Sequence, residues 1–226
     1  MIRSTSVLLA IGCLLVGACR TEQHVVLERG VTRALALERA SQIKDLKYDI
    51  FFSIPKNRAA ALEGSLEVAF RLEYPGPVIL DFAQPSSHVQ DVRLDGTSVS
   101  YDVRDEHILI HTADAGSHVV TIKFVAGEAS LNRQDDFLYT LFVPDRARVA
   151  FPVFDQPDLK ARYRLTLEIP AEWQAVSNTA VVGRTHVDDR VTVAFAETEP
   201  ISSYLFSFVV GRFQSVERER GGRALT

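Results

Sequence analysis

Cysteine is nearly absent from this chain. The two present, Cys13 and Cys19, both fall in the first twenty residues, so the remainder can form no disulfide and offers no thiolate to a metal. An excess of basic charge is missing as well: 25 Lys+Arg stand against 29 Asp+Glu, for a net charge of -4. No basic stripe interleaved with aromatics is visible, which leaves nucleic acid without support as a partner. The longest apolar run, residues 7–16, is too short to cross a bilayer. There is no Gly-rich phosphate loop, no alternation of strands with helices and no repeat period, which excludes nucleotide-binding α/β folds and solenoids. At 226 residues the chain is long enough for one large all-β domain or two small ones.

What is present begins with an export pattern. Arg3 supplies a basic n-region, residues 7–16 an apolar h-region, and Val16, Gly17 and Ala18 the small residues that a signal peptidase requires. Cys19 follows directly, so the junction resembles a bacterial lipobox in which Cys19 becomes an acylated first residue. The alternative is simple secretion with an incidental cysteine. Multiple acylation at Cys19 would give the two-chain anchoring that stable membrane attachment needs. The expected organisation is a signal peptide at 1–18, a polar tether at 19–27, a helix at 28–44 and a β domain at 45–226. Location would then be periplasmic or on the outer surface, anchored by lipid.

The helix is expected because Val31, Ala34, Leu35, Ala40 and Ile43 recur at helical spacings among Leu, Ala, Glu and Arg. Arg33, Glu38 and Arg39 are assigned to its wet side. It packs outside the β domain or, as the alternative, lies on a membrane surface, although its charges are mixed and not predominantly basic. From residue 47 the pattern changes to short strands: 48–54, 64–72, 78–82, 89–94, 99–103, 107–112 and 119–125, then 162–169, 175–177, 181–186, 191–196 and 203–210. Within 64–72, Leu66, Val68, Phe70 and Leu72 alternate with Ser65, Glu67, Ala69 and Arg71, one face for a core and one for water. Asp95-Gly96 and Asp188-Asp189 mark hairpin turns. The fold class is therefore all-β, a large curved antiparallel sheet or β-sandwich of saddle form with one N-terminal amphipathic helix.

Residues 137–163 break this rhythm. Pro144, Pro152 and Pro157 and the acids Asp145, Asp155 and Asp158 suit neither a helix interior nor a central strand. Yet Phe137, Leu138, Tyr139, Leu141, Phe142, Phe151 and Phe154 demand burial, so the stretch is a structured crossing and not a linker.

The histidines do not build a metal site. His107 and His111 have the four-residue spacing of H-E-x-x-H, but HILIH lacks the glutamate and reads as a strand. On a strand four residues span about 13 Å, too far for two nitrogens that must each approach one zinc ion to ~2 Å. His88, His118 and His186 fall at strand ends or turns. Asp135-Asp136 reads as a wet loop, since adjacent acids point to opposite sides of an extended chain. No catalytic residue and no metal ligand is assigned from the residues alone.

Two long motifs carry a resemblance. FPVFDQPDLKARYRLTLEIP, residues 151–170, resembles the FPCFDEPxxKAxFxLxxxxP stretch of the aminopeptidase N family of zinc metallopeptidases (gluzincins). EPISSYLFSFVVGRF, residues 199–213, is similar to that family's P-I/M-S-T-Y-L-x-A-F-x-x-G-x-F, and SNTAVVG, residues 177–183, sits between them as the family's S-N segment does. With the upstream strands the resemblance covers residues 45–226. It implies the family's N-terminal β-saddle domain. In the family a thermolysin-like domain follows, with G-x-M-E-N and a zinc site H-E-x-x-H, neither of which occurs in these 226 residues.

The implied whole enzyme removes N-terminal residues from peptides: zinc polarises the scissile carbonyl and activates water, with a glutamate as base. This chain itself is expected to bind no cofactor. The resemblance also implies that Leu141, Phe142, Val143, Pro144 and Asp145 form a substrate-side loop, because the family's T-Q-F-E-P aligns with TLFVP through Thr140 and Pro144. There the family's acid or amide holds the substrate's α-amine. Leu141 replaces the glutamine and Val143 the glutamate; Val143 cannot accept a hydrogen bond. Asp145 either substitutes for the lost acid, if the loop is shifted, or caps a turn or pairs with Arg146 or Arg148. The chain is then the N-terminal part of an exported zinc aminopeptidase or, as the alternative, a free-standing lipoprotein that binds peptide, protein or glycan.

Overall fold

The computed structural model describes residues 27–214 in full and the backbone of 218–220 and 223–225. The expected signal peptide, Cys19 and most of the tether lie outside the described residues. A helix and ten strands lead to the crossing: α1 (Arg33–Gln42), β1 (Ile43–Ser53), β2 (Glu63–Leu72), β3 (Gly76–Asp81), β4 (Val89–Leu94), β5 (Thr97–Ser98), β6 (Tyr101–Arg104), β7 (His107–Ala113), β8 (Gly116–Val125), β9 (Leu131–Arg133) and β10 (Phe137–Thr140). After it come the one-turn helix α2 (Ala147–Ala150), then β11 (Arg162–Pro170), β12 (Gln174–Ser177), β13 (Val181–Val187), β14 (Arg190–Phe195), β15 (Phe208–Gly211), β16 (Arg218–Arg220) and β17 (Arg223–Leu225).

Eight strands form one sheet in the order β13-β14-β11-β1-β2-β8-β4-β5; β12-β15-β10-β9 form a second, β3-β7-β6 a third, and β16-β17 a hairpin. Pairing is antiparallel except between β1 and β11, which run parallel from Lys47↔Arg162 to Ser53↔Glu168. The expected wholly antiparallel sheet is thus mixed at its centre. A parallel neighbour requires a long crossover, and everything between β1 and β11 supplies it.

Alternation explains the layers. Along β2 the burial pattern switches residue by residue, with Leu66, Val68, Phe70 and Leu72 inside. The same inner face carries Ile50 and Phe52 of β1, Ile122 and Phe124 of β8, and Val191 and Val193 of β14, and the two smaller sheets cover it with Leu80, Ile108, Leu138 and Val210. Gly64 is required where the Phe124 ring crosses β2, since a Cβ there would stand 2.5 Å from the ring. Asp95 and Gly96 both take positive φ, 51° and 79°, as the tight hairpin turn demands.

Several expected elements are revised. The helix occupies Arg33–Gln42 and not 28–44, because Gly30 takes φ 77° and Thr32 caps the first turn by accepting from the Leu35 amide. Ile43 already belongs to β1, so the β domain starts before residue 45. Its buried stripe is Leu35, Arg39 and Gln42 while Ala34 is exposed, so Arg39 lies inside and not on the wet side. Of the expected strand 99–103 only 101–103 are extended, within β6, while the two-residue β5 precedes it, and 203–210 divide into a 3-10 turn at Ser203–Leu205 and the short strand β15. The crossing opens on a regular strand, β10, paired on both sides by β9 and β15.

Candidate functional site

Residues 141–145 leave the end of β10 as a rim. Phe142 is its anchor: 2 % exposed, with its ring 5.7 Å from that of Phe151 and 6.2 Å from that of Phe206. On either side of it Leu141 and Val143 are 50 % and 64 % exposed, and Pro144, joined to Val143 by a cis peptide bond, and Asp145 are exposed too. Backbone bonds hold both ends, from the Leu141 amide to the Ser130 carbonyl and from the Arg146 amide to the Phe142 carbonyl. The rim therefore displays apolar side chains to solvent from a fixed base.

This display continues onto the four-stranded sheet. Leu138, Val210 and Ala175 point into the core. Their neighbours Tyr139, Val209 and Val176, which pair in register across β10, β15 and β12, lie on the opposite face with Phe137. Phe137 and Tyr139 stack with ring centroids 6.0 Å apart. Leu141 extends the same row, and Val176 is 56 % exposed.

Asp145 does not stand free. Arg148 Nη1 donates to its Oδ2 at 2.9 Å and to its carbonyl at 2.5 Å. Of the two roles open to Asp145, pairing with Arg148 is the one seen. Arg148 in turn donates its backbone N–H to Asp155 Oδ2 at 3.1 Å, while Ser203 donates to Asp155 Oδ1 at 2.6 Å. Burial raises the Asp155 carboxyl above the ordinary range, against the Ser203 hydroxyl and the Arg148 amide, which lower it.

Behind Asp155 lies a cluster of buried charges. Arg39 grips Asp81 with both guanidinium nitrogens, Nη1 to Oδ2 at 2.8 Å and Nη2 to Oδ1 at 2.6 Å. Asp155 N–H donates to the same carboxylate at 2.8 Å. His107, fully buried, brings Nδ1 to 2.8 Å from Asp81 Oδ1 and Nε2 to 3.0 Å from the Glu28 carbonyl. Burial pushes the Asp81 carboxyl up; the Arg39 charge and the contacts from His107, Arg39 and the Asp155 amide outweigh it and hold the group at about 2. Sequence reasoning did not find this cluster. Two signals pointed to it: Arg39 lies four residues after Leu35 on one helical stripe, and Asp81 interrupts the otherwise apolar stretch 78–82.

Zinc does not fit these groups. His107 is committed to Asp81 and the Glu28 carbonyl, His111 pairs with Asp102 at 3.3 Å, and among the described residues no group of three or more His, Cys, Asp or Glu is arranged to hold a metal ion. No helix among the described residues is long and apolar enough to cross a membrane.

The architecture is that of a β domain with one large mixed sheet and two small sheets folded against it. It matches an M1 zinc metallopeptidase from Deinococcus radiodurans with a TM-score of 0.67 and 16% identity, over 81% of this chain and 46% of that one. A mutant of that M1 zinc metallopeptidase, solved bound to a Tyr-Ser-Ala substrate, matches with a TM-score of 0.64 and 17% identity. Human glutamyl aminopeptidase is 41% identical over 85 residues, 37% of this chain and 9% of its own length; aminopeptidase M1-D of Oryza sativa subsp. japonica is 40% identical over 78 residues, 34% of this chain and 9% of its own. The matched stretch is thus a small part of those relatives. Residues 44–205 match the Peptidase M1 N-terminal domain, and the chain belongs to that family.

Proposed function

We propose that this chain is the amino-terminal part of an exported zinc aminopeptidase, in which Leu141, Phe142, Val143, Pro144 and Asp145 form the substrate-side rim. The observation that carries this reading is the match of residues 44–205 to the Peptidase M1 N-terminal domain. Zinc and the general base belong, in this reading, to a further domain. That domain covers the apolar row of Phe137, Tyr139, Leu141, Val209 and Val176. The solved neighbour, of which this chain covers 46%, supports the existence of such a second part, and an apolar row with Leu141 and Val176 exposed and Phe137, Tyr139 and Val209 half-buried fits an interaction surface.

The rim then contributes shape and not charge. Val143 has no acceptor, and the Asp145 carboxylate is already balanced by Arg148, so the peptide's α-amine is held by groups outside residues 141–145. Export and acylation at Cys19 remain part of the proposal through the lipobox-like junction alone.

The test is direct. The purified chain, incubated with zinc, is expected not to turn over aminoacyl-arylamides, and its apolar face should make it dimerise or aggregate; turnover by a well-behaved monomer would overturn the reading. The genomic frame after codon 226 should encode H-E-x-x-H. Metabolic labelling with a fatty acid, lost in Cys19→Ser, checks the anchor.

A further inference from the structure

The family match begins at residue 44, so α1 lies outside it. Yet α1 supplies the cation that makes the buried Asp81 tolerable, and Asp81 is bonded directly to the backbone of the crossing. From there an unbroken set of contacts leads to the rim. Arg39 holds Asp81, Asp81 accepts from the Asp155 amide, Asp155 accepts from the Arg148 amide, and Arg148 holds Asp145. Two more bonds join the same parts, from Gln156 Nε2 to the Ala36 carbonyl at 3.1 Å and from Arg39 Nη2 to the Ile79 carbonyl at 2.6 Å. The Arg39 guanidinium also lies 5.4 Å over the Phe154 ring.

We propose that Arg39, acting through Asp81 and Asp155, is a positioning residue for the rim at 141–145, so that docking of α1 sets the place of α2 and of the Asp145 end of the rim. The physical reason is the high stake of buried charge. Without the fork of Arg39, Asp81 keeps only the His107 ring and the Asp155 amide beside it in a site closed to water, which is strongly unfavourable for a carboxylate. It then ceases to be an anionic acceptor for the Asp155 amide, and Asp155, itself disfavoured as an anion, is no longer held where it caps the Arg148 amide. A network of this sort transmits because each member is satisfied only when its neighbour is in place. The functional weight of the inference rests on the substrate-side reading of the rim, but the coupling itself does not.

Hydrogen exchange on the chain without peptide or metal separates the two. The reporters are the Arg146 amide, which closes the rim on the Phe142 carbonyl, the Arg148 amide of α2, the α1 amides, and the Ile122 amide of the central sheet as a control. Arg39→Lys keeps the charge and loses the two-pronged grip. Leu35→Ala leaves every charged group intact and loosens α1 through its apolar contact with Ile79 and Leu109. In both variants the α1 amides and the Arg148 and Arg146 amides are expected to exchange faster together, by roughly tenfold, with Ile122 unchanged. Faster exchange in α1 with the rim amides at their wild-type rates overturns the proposal, as does an unchanged rim in both variants. If Arg39→Lys accelerates Ile122 as well, the protein has opened globally and Leu35→Ala decides. A failed peptidase reading leaves these rates untouched, so the two failures are distinguishable.

Discussion

The two halves of the crossing, residues 141–145 and 151–157, differ in nearly every physical respect although a single helical turn separates them. In the second half Phe151, Val153, Phe154, Asp155 and Gln156 are all buried, and the backbone is tied to Asp81 twice, by the Asp81↔Val153 bridge and by the Asp155 amide. Tyr48 accepts from the Phe154 amide at 2.9 Å. In the first half only Phe142 is buried, and its neighbours face outward. The comparison teaches that one crossing can join a buried, multiply bonded segment to a rim that keeps a single buried anchor, Phe142. Val143 is 64 % exposed, so its side chain adds little to the core.

The comparison is sharpened most strongly by removing a fastening. Asp81→Ala leaves Arg39 buried without its counter-ion and should destabilise by about 3–5 kcal/mol, read from the urea midpoint. Phe151→Ala, which opens a cavity among Phe52, Phe142 and Phe206, should cost a similar ~3–5 kcal/mol. Comparable losses on replacing Val143 would break the comparison.

Acid should act on the fastening and spare the rim. The folded-state value of Asp81, about 2, lies below its ordinary 3.8. Its stabilisation is therefore complete above the ordinary value and lost as pH falls through about 2. Measured against Asp81→Asn, the wild-type advantage should shrink between these limits. Ser203→Ala removes one donor to the buried Asp155 and should cost about 1–3 kcal/mol in the same denaturation. At the rim, Val143→Glu restores an acid to an exposed position and should shift stability by no more than about 0.5 kcal/mol.

The smallest effect concerns His118, whose Nδ1 lies 2.8 Å from Asp95 Oδ2. Burial lowers it, but Asp95 and the Asp114 carbonyl raise it overall above the ordinary 6.5. This contribution is full below the ordinary value and lost as pH rises through the raised one. Asp95→Asn should bring the His118 titration back down, as followed by its ring proton shifts.

Much of the strand pattern was legible. The alternation in 64–72 places β2 to within a residue, and Asp95-Gly96 and Asp188-Asp189 mark their turns because a tight reversal needs positive φ, which Asp188 takes at 51°. β10 was not legible, since the prolines downstream obscured four residues whose strand character depends on partners at Leu131–Arg133 and Phe208–Gly211. Residues 141–145 were singled out by likeness to the family alone, while the pairing of Asp145 with Arg148 lay within the alternatives that local spacing allowed.

The sequence by itself determined which faces were apolar, where the chain turned and which family it resembled, because those properties are written in neighbours two to four residues apart. Tertiary structure alone decided that Arg39 is buried. Its partner Asp81 lies 42 residues away, and a helix-periodic reading assigns any arginine to water unless a distant carboxylate repays its desolvation. The same holds for the parallel meeting of β1 with β11 and for the fastening of the crossing to Asp81. Each depends on groups that local pattern cannot bring together.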